Sequence, residues 1–252
     1  MKATPRKSPH LYLNLQLTAA EVSLTDDQAH YLRRVLRLKL GDSVIVFNGA
    51  GDEYLALVET LSRDRTVLRL ETKLQPLPES PLKITLVQSL VKNDAMDMIV
   101  QKATELGIYK IIPVISEFSI IKLDHDRATR RIAHWEKISA SSCEQCGRHR
   151  PLIIDEPQSL ATGLTRIPTE HLKLVLQPPG ADQLPEASLP TNPPGGITVL
   201  IGPEGGLSER DTQEADRAQF ASVTLGPRIL RAETAALTAC ALLQRQWGDL
   251  SG

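Results

Sequence analysis

The sequence predicts an α/β protein in two parts, a small β-rich N-terminal domain and a larger domain of alternating strands and helices around a mostly parallel sheet. Three observations predict it. Short alternating apolar runs separated by turn residues fill the chain before residue 75. The stretch QPLPESP at 75–81 packs three prolines between two patterned regions, as a linker does. Beyond it, near-continuous apolar runs alternate with helix-length amphipathic segments, the mark of strands covered on both faces.

In the first part, SVIVFN (43–48), EYLALVET (53–60) and RTVLRLET (65–72) alternate about GAGD and SRD turns, so a small antiparallel barrel or sandwich is expected. One helix interrupts it at about 26–38, with Thr25 as N-cap and acidic residues in its first turn. His30, Arg33, Arg34 and Arg37 fall at i, i+3, i+4 and i+7 and share one face, with no acid among them. Leu32, Val35 and Leu36 share another that is expected to dock on the sheet. A basic stripe of this kind is either a solvated exterior or a set of phosphate contacts for a nucleic acid.

After the linker come strands at 83–91, 110–116, 172–177, 197–202 and 221–226, with helices near 94–106, 126–145, 208–218 and 231–246. In such βα repeats ligands sit in the crevice at the carboxyl ends of the strands. Two corners lie at such ends, VLIGPEGGLS (199–208) and VTLGPRILRAET (223–234). The first lacks the lysine of a GxxxxGK[ST] phosphate loop, and SLVKND after the first strand lacks every glycine of a GxGxxG fingerprint, so neither common nucleotide loop is present. The Pro- and Gly-rich run from Pro178 to Gly195 reads as a surface excursion.

A second basic pattern, Arg127, Arg130, Arg131 and His134, repeats the same spacing, with Arg148, His149 and Arg150 at the end of that helix. Two such stripes favour one long polyanion. CEQCGRHR (143–150) offers a CxxC, but only Cys240 and scattered histidines remain to complete a zinc set, and no metal is expected.

Length and composition set the outer bounds. With 252 residues, 41% hydrophobic and 23% charged, the chain has material for a real core, and disorder is excluded as its general state. MKATPRKSPHLYLNLQL carries basic residues but no apolar stretch of signal-peptide length, and no apolar run approaches the roughly 20 residues of a membrane span. Three cysteines, an odd number, fit a reducing compartment, so a cytoplasmic location is expected.

KNDAMDMIVQKATELGI, SEFSIIKL, SCEQCGR, LIGPEGGLS and LGPRILRAETAAL together resemble the ribosomal RNA small subunit methyltransferase E family of the knotted SPOUT superfamily. The resemblance runs from the N-terminal helix to the C-terminus. It implies a PUA-like RNA-binding β-barrel over 1–75 and a SPOUT methyltransferase domain over 82–252 with a trefoil knot near its end. It also implies S-adenosylmethionine as cofactor, N3 of a uridine in 16S rRNA of the small ribosomal subunit as target, and a homodimer. The cofactor pocket would use Leu176, Gly202, Pro203, Glu204, Gly205, Gly206, Leu225, Gly226, Pro227, Ile229, Leu230, Arg231 and Thr234. Arg231 would stabilise charge developing on the base, with Glu204 or Glu233 orienting it or accepting the proton. Asn93 stands where the family commonly has Gly, and Phe118 replaces a usual arginine whose role could pass to Lys122. Methylation of a ribose 2′-OH or another base, and a non-catalytic assembly factor, remain open alternatives.

Overall fold

The computed structural model describes residues 8–62, 65–119, 125–180 and 189–250. The chain divides into two compact units, Met1–Pro78 with Ala140–Pro151, and Glu79–Ser139 with Leu152–Gly252.

In the first unit the chain forms β1 (His10–Tyr12), β2 (Glu21–Ser23), α1 (Asp26–Arg34), β3 (Ser43–Phe47), β4 (Glu53–Leu61) and β5 (Thr66–Lys73). The sheet order is β1-β3-β4-β5-β2. β1 runs parallel to β3, whereas β3/β4, β4/β5 and β2/β5 are antiparallel. The expected all-antiparallel arrangement is therefore corrected to a mixed sheet, because a three-residue strand ahead of the meander adds to its edge in parallel. Leu11, Leu13, Val22, Leu32, Val44, Val46, Ala56, Val58 and Leu68 form the core.

α1 begins as its sequence predicts. Gln28 N–H donates to Thr25 Oγ1 and the Gln28 side chain accepts from Thr25 N–H at 3.0 Å, a complete capping box. It ends four residues early. The N–H groups of Val35 and Leu36 both donate to the Tyr31 carbonyl, Leu38 N–H reaches back to Leu32 O, and Arg37 takes a left-handed φ of 54°. Arg37 thus leaves the basic face of the helix, and Val35, expected to dock, is 59% exposed. Only Ala29 and Leu32 are buried from α1 itself.

The second unit contains β6 (Ile84–Ser89), α2 (Asn93–Glu105), β7 (Lys110–Ile115), α3 (His125–Cys146), β8 (Ile153–Ile154), β9 (Gln158–Ser159), α4 (Leu160–Leu164), β10 (Leu172–Leu176), β11 (Ile197–Ile201), α5 (Glu209–Arg217), β12 (Ala221–Val223) and α6 (Ala232–Trp247). The last residues of α3 belong by their contacts to the first unit.

Strand order is β12-β10-β11-β6-β7-β8, with β9 also on β7, and every pairing in this sheet is parallel. All residues of β6 and β11 are buried. Successive side chains go to opposite faces. Leu86, Ile111, Val199 and Ile201 join Met96, Ile99, Ala236 and Cys240 from α2 and α6, while Val87, Ile112, Val114 and Leu200 join Leu160 of α4 and Ala215 of α5. Helices on both faces leave the strand ends as the open edges of the sheet, and the site lies at one of them.

Candidate functional site

β12, β10, β11 and β6 are neighbours, so the loops that leave their carboxyl ends converge. They enclose a cavity of about 870 Å³, within the range of small-molecule sites. Its floor is apolar, with Ile201, Pro203 and Ala232 buried and Leu176, Leu207 and Leu225 half-buried. Its rim is charged, with Lys92, Asp94, Glu204, Arg228, Arg231 and Glu233.

The loop after β11 is built by short-range rules. Gly206 N–H closes a turn onto Pro203 O at 2.9 Å, and Gly206 itself sits at φ +76°, a conformation open to glycine at little cost. Ser208 then caps α5 through a box with Asp211, whose carboxylate also accepts the Glu117 N–H at 3.2 Å. Glu204 Oε1 accepts the Lys92 N–H at 3.2 Å, joining this loop to the one after β6. A Cβ on Gly205 would lie 3.2 Å from Cβ of Phe118 and 3.8 Å from its ring, so the Phe118 side chain abuts the loop.

Arg231 is the N-cap of α6 with extended backbone (φ −65°, ψ 154°), and its side chain makes no capping bond. Its carbonyl accepts Ala235 N–H at 2.8 Å, and its guanidinium is exposed at the cavity rim. Glu233 follows in the first helical turn, where a carboxylate favours the helix dipole.

Of the residues singled out from sequence, Leu176, Gly202, Pro203, Glu204, Gly205, Gly206, Leu225, Ile229, Leu230, Arg231 and Glu233 line this one cavity. Gly226, Pro227 and Thr234 lie outside its lining, the chain turning at Gly226 with φ +74°. Lys92, Asp94, Ala95, Met98, Gln177 and Arg228 line it too and were not singled out. What places the first four at the crevice is the pairing of β6 with β11, which the sequence alone does not show.

The basic residues separate into groups. His30 and Arg34 are exposed on α1, while Arg33 donates to Ala29 O at 3.2 Å and Ser62 O at 3.0 Å. On α3, Arg127 and Arg130 are exposed, Arg131 donates to the Asn93 side chain, and His134 pairs with Asp97 at 2.8 Å. Arg148 is half-buried in the first unit. Lys122 lies outside the described residues.

The cysteines do not gather. Cys143 is buried with its thiol near Arg150 O at 3.4 Å, Cys146 is exposed, and burial pushes the Cys240 thiol up to about 12. Among the described residues no three His, Cys, Asp or Glu side chains are placed to hold a metal, and no helix is long and apolar enough to cross a membrane.

Residues 78–244 match the family described as RNA methyltransferase domain, and residues 24–71 the family described as RNA methyltransferase PUA domain. The chain is 33% identical over 248 residues to the ribosomal RNA small subunit methyltransferase E of Buchnera aphidicola subsp. Schizaphis graminum, covering 98% of this chain and 99% of that one. It is 30% identical to the protein of the same name from Bacillus subtilis, with 93% of each covered. Among solved structures, the ribosomal RNA small subunit methyltransferase E of Neisseria gonorrhoeae bound to S-adenosyl methionine superposes with a TM-score of 0.89 at 37% identity, covering 97% of this chain and 100% of that one.

Proposed function

Because the chain belongs to the ribosomal RNA small subunit methyltransferase E family, we propose that it methylates N3 of one uridine in 16S rRNA with S-adenosylmethionine as methyl donor. The observation that carries this reading is one cavity, at the carboxyl ends of four adjacent parallel strands, lined by residues 202–207 of the first corner and by Leu225 and residues 228–231 on either side of the Gly-Pro pair of the second.

The cavity suits the donor. Apolar Leu176, Ile201 and Leu225 would hold its adenine, and the backbone of the turn at Pro203–Gly206 can approach closely because glycine carries no side chain. When bound, the donor supplies an electrophilic methyl on a sulfonium. The chain's own residues must do the rest. N3 of uridine loses its proton to Glu204 or Glu233, and its lone pair forms the new C–N bond while the S–CH₃ bond breaks to a neutral thioether. Arg231, exposed at the rim, donates to a uracil oxygen and holds the negative charge that grows as the proton leaves. Placing the base in line with the methyl supplies much of the acceleration.

In this reading residues 1–75 are a PUA-like RNA-binding domain and 82–252 the methyltransferase domain with a trefoil knot near its end, and the active form is a homodimer. The basic residues of α1 and α3 then contact RNA phosphates, and the target base turns out of its stack into the cavity. The test is purified protein with isotope-labelled S-adenosylmethionine and small ribosomal subunits from a strain lacking the gene, followed by nucleoside mass spectrometry. One labelled N3-methyluridine is expected. Label on a ribose or another base, or none at all, would overturn the assignment.

A further inference from the structure

A second cavity, of about 490 Å³, is lined by the first unit: residues 8–10 at the start of β1, the end of α1, the start of β4, Gln75 and Leu77 after β5, and the last turn of α3. Two carboxylates face it. Glu144 is already engaged, its Oε1 accepting Tyr12 N–H and its Oε2 accepting the Tyr31 hydroxyl, both at 2.9 Å. Glu53 is different. It is 8% exposed, and its carboxylate has no hydrogen-bond or ion-pair partner among the described residues. Its oxygens open onto the cavity, where partial burial pushes its pKa up, so a ligand donor entering there would meet an acceptor that no described residue occupies.

The lining chemistry narrows the occupant. Two acidic groups repel a phosphate or carboxylate, and an apolar ligand would leave Glu53 unpaired. No metal-binding cluster exists among the described residues. What fits is a flat group with donors side by side, set against the apolar walls of Pro9, Leu36 and Leu77. On its Watson–Crick edge guanine alone among the RNA bases presents two adjacent donors, N1–H and N2–H, which match the two oxygens of one carboxylate. Adenine and cytosine offer one amino group beside an acceptor, and uracil one imino group between two acceptors.

The surroundings supply the complementary charge. Tyr31 belongs to α1, where exposed His30 immediately precedes it and exposed Arg34 lies about one turn on; both can hold the phosphates of a nucleotide whose base enters the cavity. We propose that this cavity of the first unit is a recognition site for an unpaired guanine of the RNA, read by the Glu53 carboxylate with Glu144 and Tyr31 as its polar wall. The inference rests on the chain acting on RNA, and goes beyond it by naming a base and the residue that reads it.

The test uses the full-length protein titrated with guanosine, adenosine, cytidine and uridine 5′-monophosphates, followed by backbone amide NMR. Guanosine monophosphate is expected to bind about tenfold or more tightly than the others, moving amides at the start of β4. Inosine monophosphate, which lacks the N2 amino group, should bind about tenfold more weakly than guanosine monophosphate. Glu53→Gln should lose the guanine preference while keeping its melting temperature and its S-adenosylmethionine affinity.

Equal affinities for the four nucleotides, or an unchanged preference in Glu53→Gln, would overturn the site. So would arginine amide binding there more tightly than guanosine monophosphate, which would assign the cavity to a protein side chain. Methylation of small subunits is measured in parallel. Methylation without guanine preference defeats this inference alone, and guanine preference without methylation defeats the proposed activity alone.

Discussion

Arg231 occupies an N-cap position and does not cap. An N-cap of Ser, Thr, Asp or Asn would satisfy a first-turn N–H, so an arginine there forgoes about 1 kcal/mol of helix stability and leaves its guanidinium available to a ligand. Arg231→Ala should therefore lower methyl transfer by about 100-fold or more while melting temperature and S-adenosylmethionine affinity hold, and transfer at the wild-type rate would remove Arg231 from the chemistry. His171, half-buried with Nδ1 3.0 Å from Thr198 Oγ1, makes a pH prediction. Burial holds its pKa below the ordinary 6.5. Between its folded pKa and 6.5 the unfolded chain binds the extra proton, so stability contributed by neutral His171 is complete above 6.5 and is lost as the pH falls. An NMR titration of the His171 ring should show a midpoint below 6.5, and one above it would reverse the sign.

At the scale of elements, every strand and helix with a clear period was legible. The alternation of SVIVFN and EYLALVET gives one-sided burial, broken at Phe47 and at the irregularity between Leu55 and Ala56, and the apolar-rich runs at 84–89 and 197–201 are buried on both faces. β1, β2, β8, β9 and α4 were not, because none of them carries a sustained apolar run or a sustained alternation. The end of α1 was illegible for another reason. Its apolar and basic pattern continues through Leu38, and what stops the helix is a left-handed residue with a large side chain, which no local preference announces. Arg37→Gly should then stabilise the protein by about 1 kcal/mol, read from the shift in a urea midpoint. Charge reversal at Arg34 should weaken RNA binding and reduce its salt dependence, whereas Arg33→Glu also removes two backbone contacts and should lower the melting temperature as well. In the site, glycine-proline corners could be read from the chain, but Lys92, Asp94 and Met98 could not be assigned until the pairing of β6 with β11 brought their loop alongside.

On the scale of the whole molecule, the two units are not two successive lengths of chain. The first includes 140–151, and the carboxylate that satisfies Tyr12 N–H and Tyr31 O–H comes from that later stretch, at Glu144. A fragment cut at the proline-rich linker lacks those acceptors, at about 1 kcal/mol for each half-buried hydrogen bond lost. Residues 1–78 expressed alone should therefore melt at a lower temperature than the same sheet in the intact protein, and a fragment with undiminished stability would show the later segment to be dispensable. The discontinuity also has a consequence in time. A chain emerging from the ribosome N-terminus first cannot complete its first unit until residue 151 has been delivered, by which point β6, α2 and β7 of the second are already exposed to one another. The early sheet must wait, half-finished, for its closing segment, so slowing translation between codons 78 and 140 should lengthen the period in which a nascent chain is open to protease.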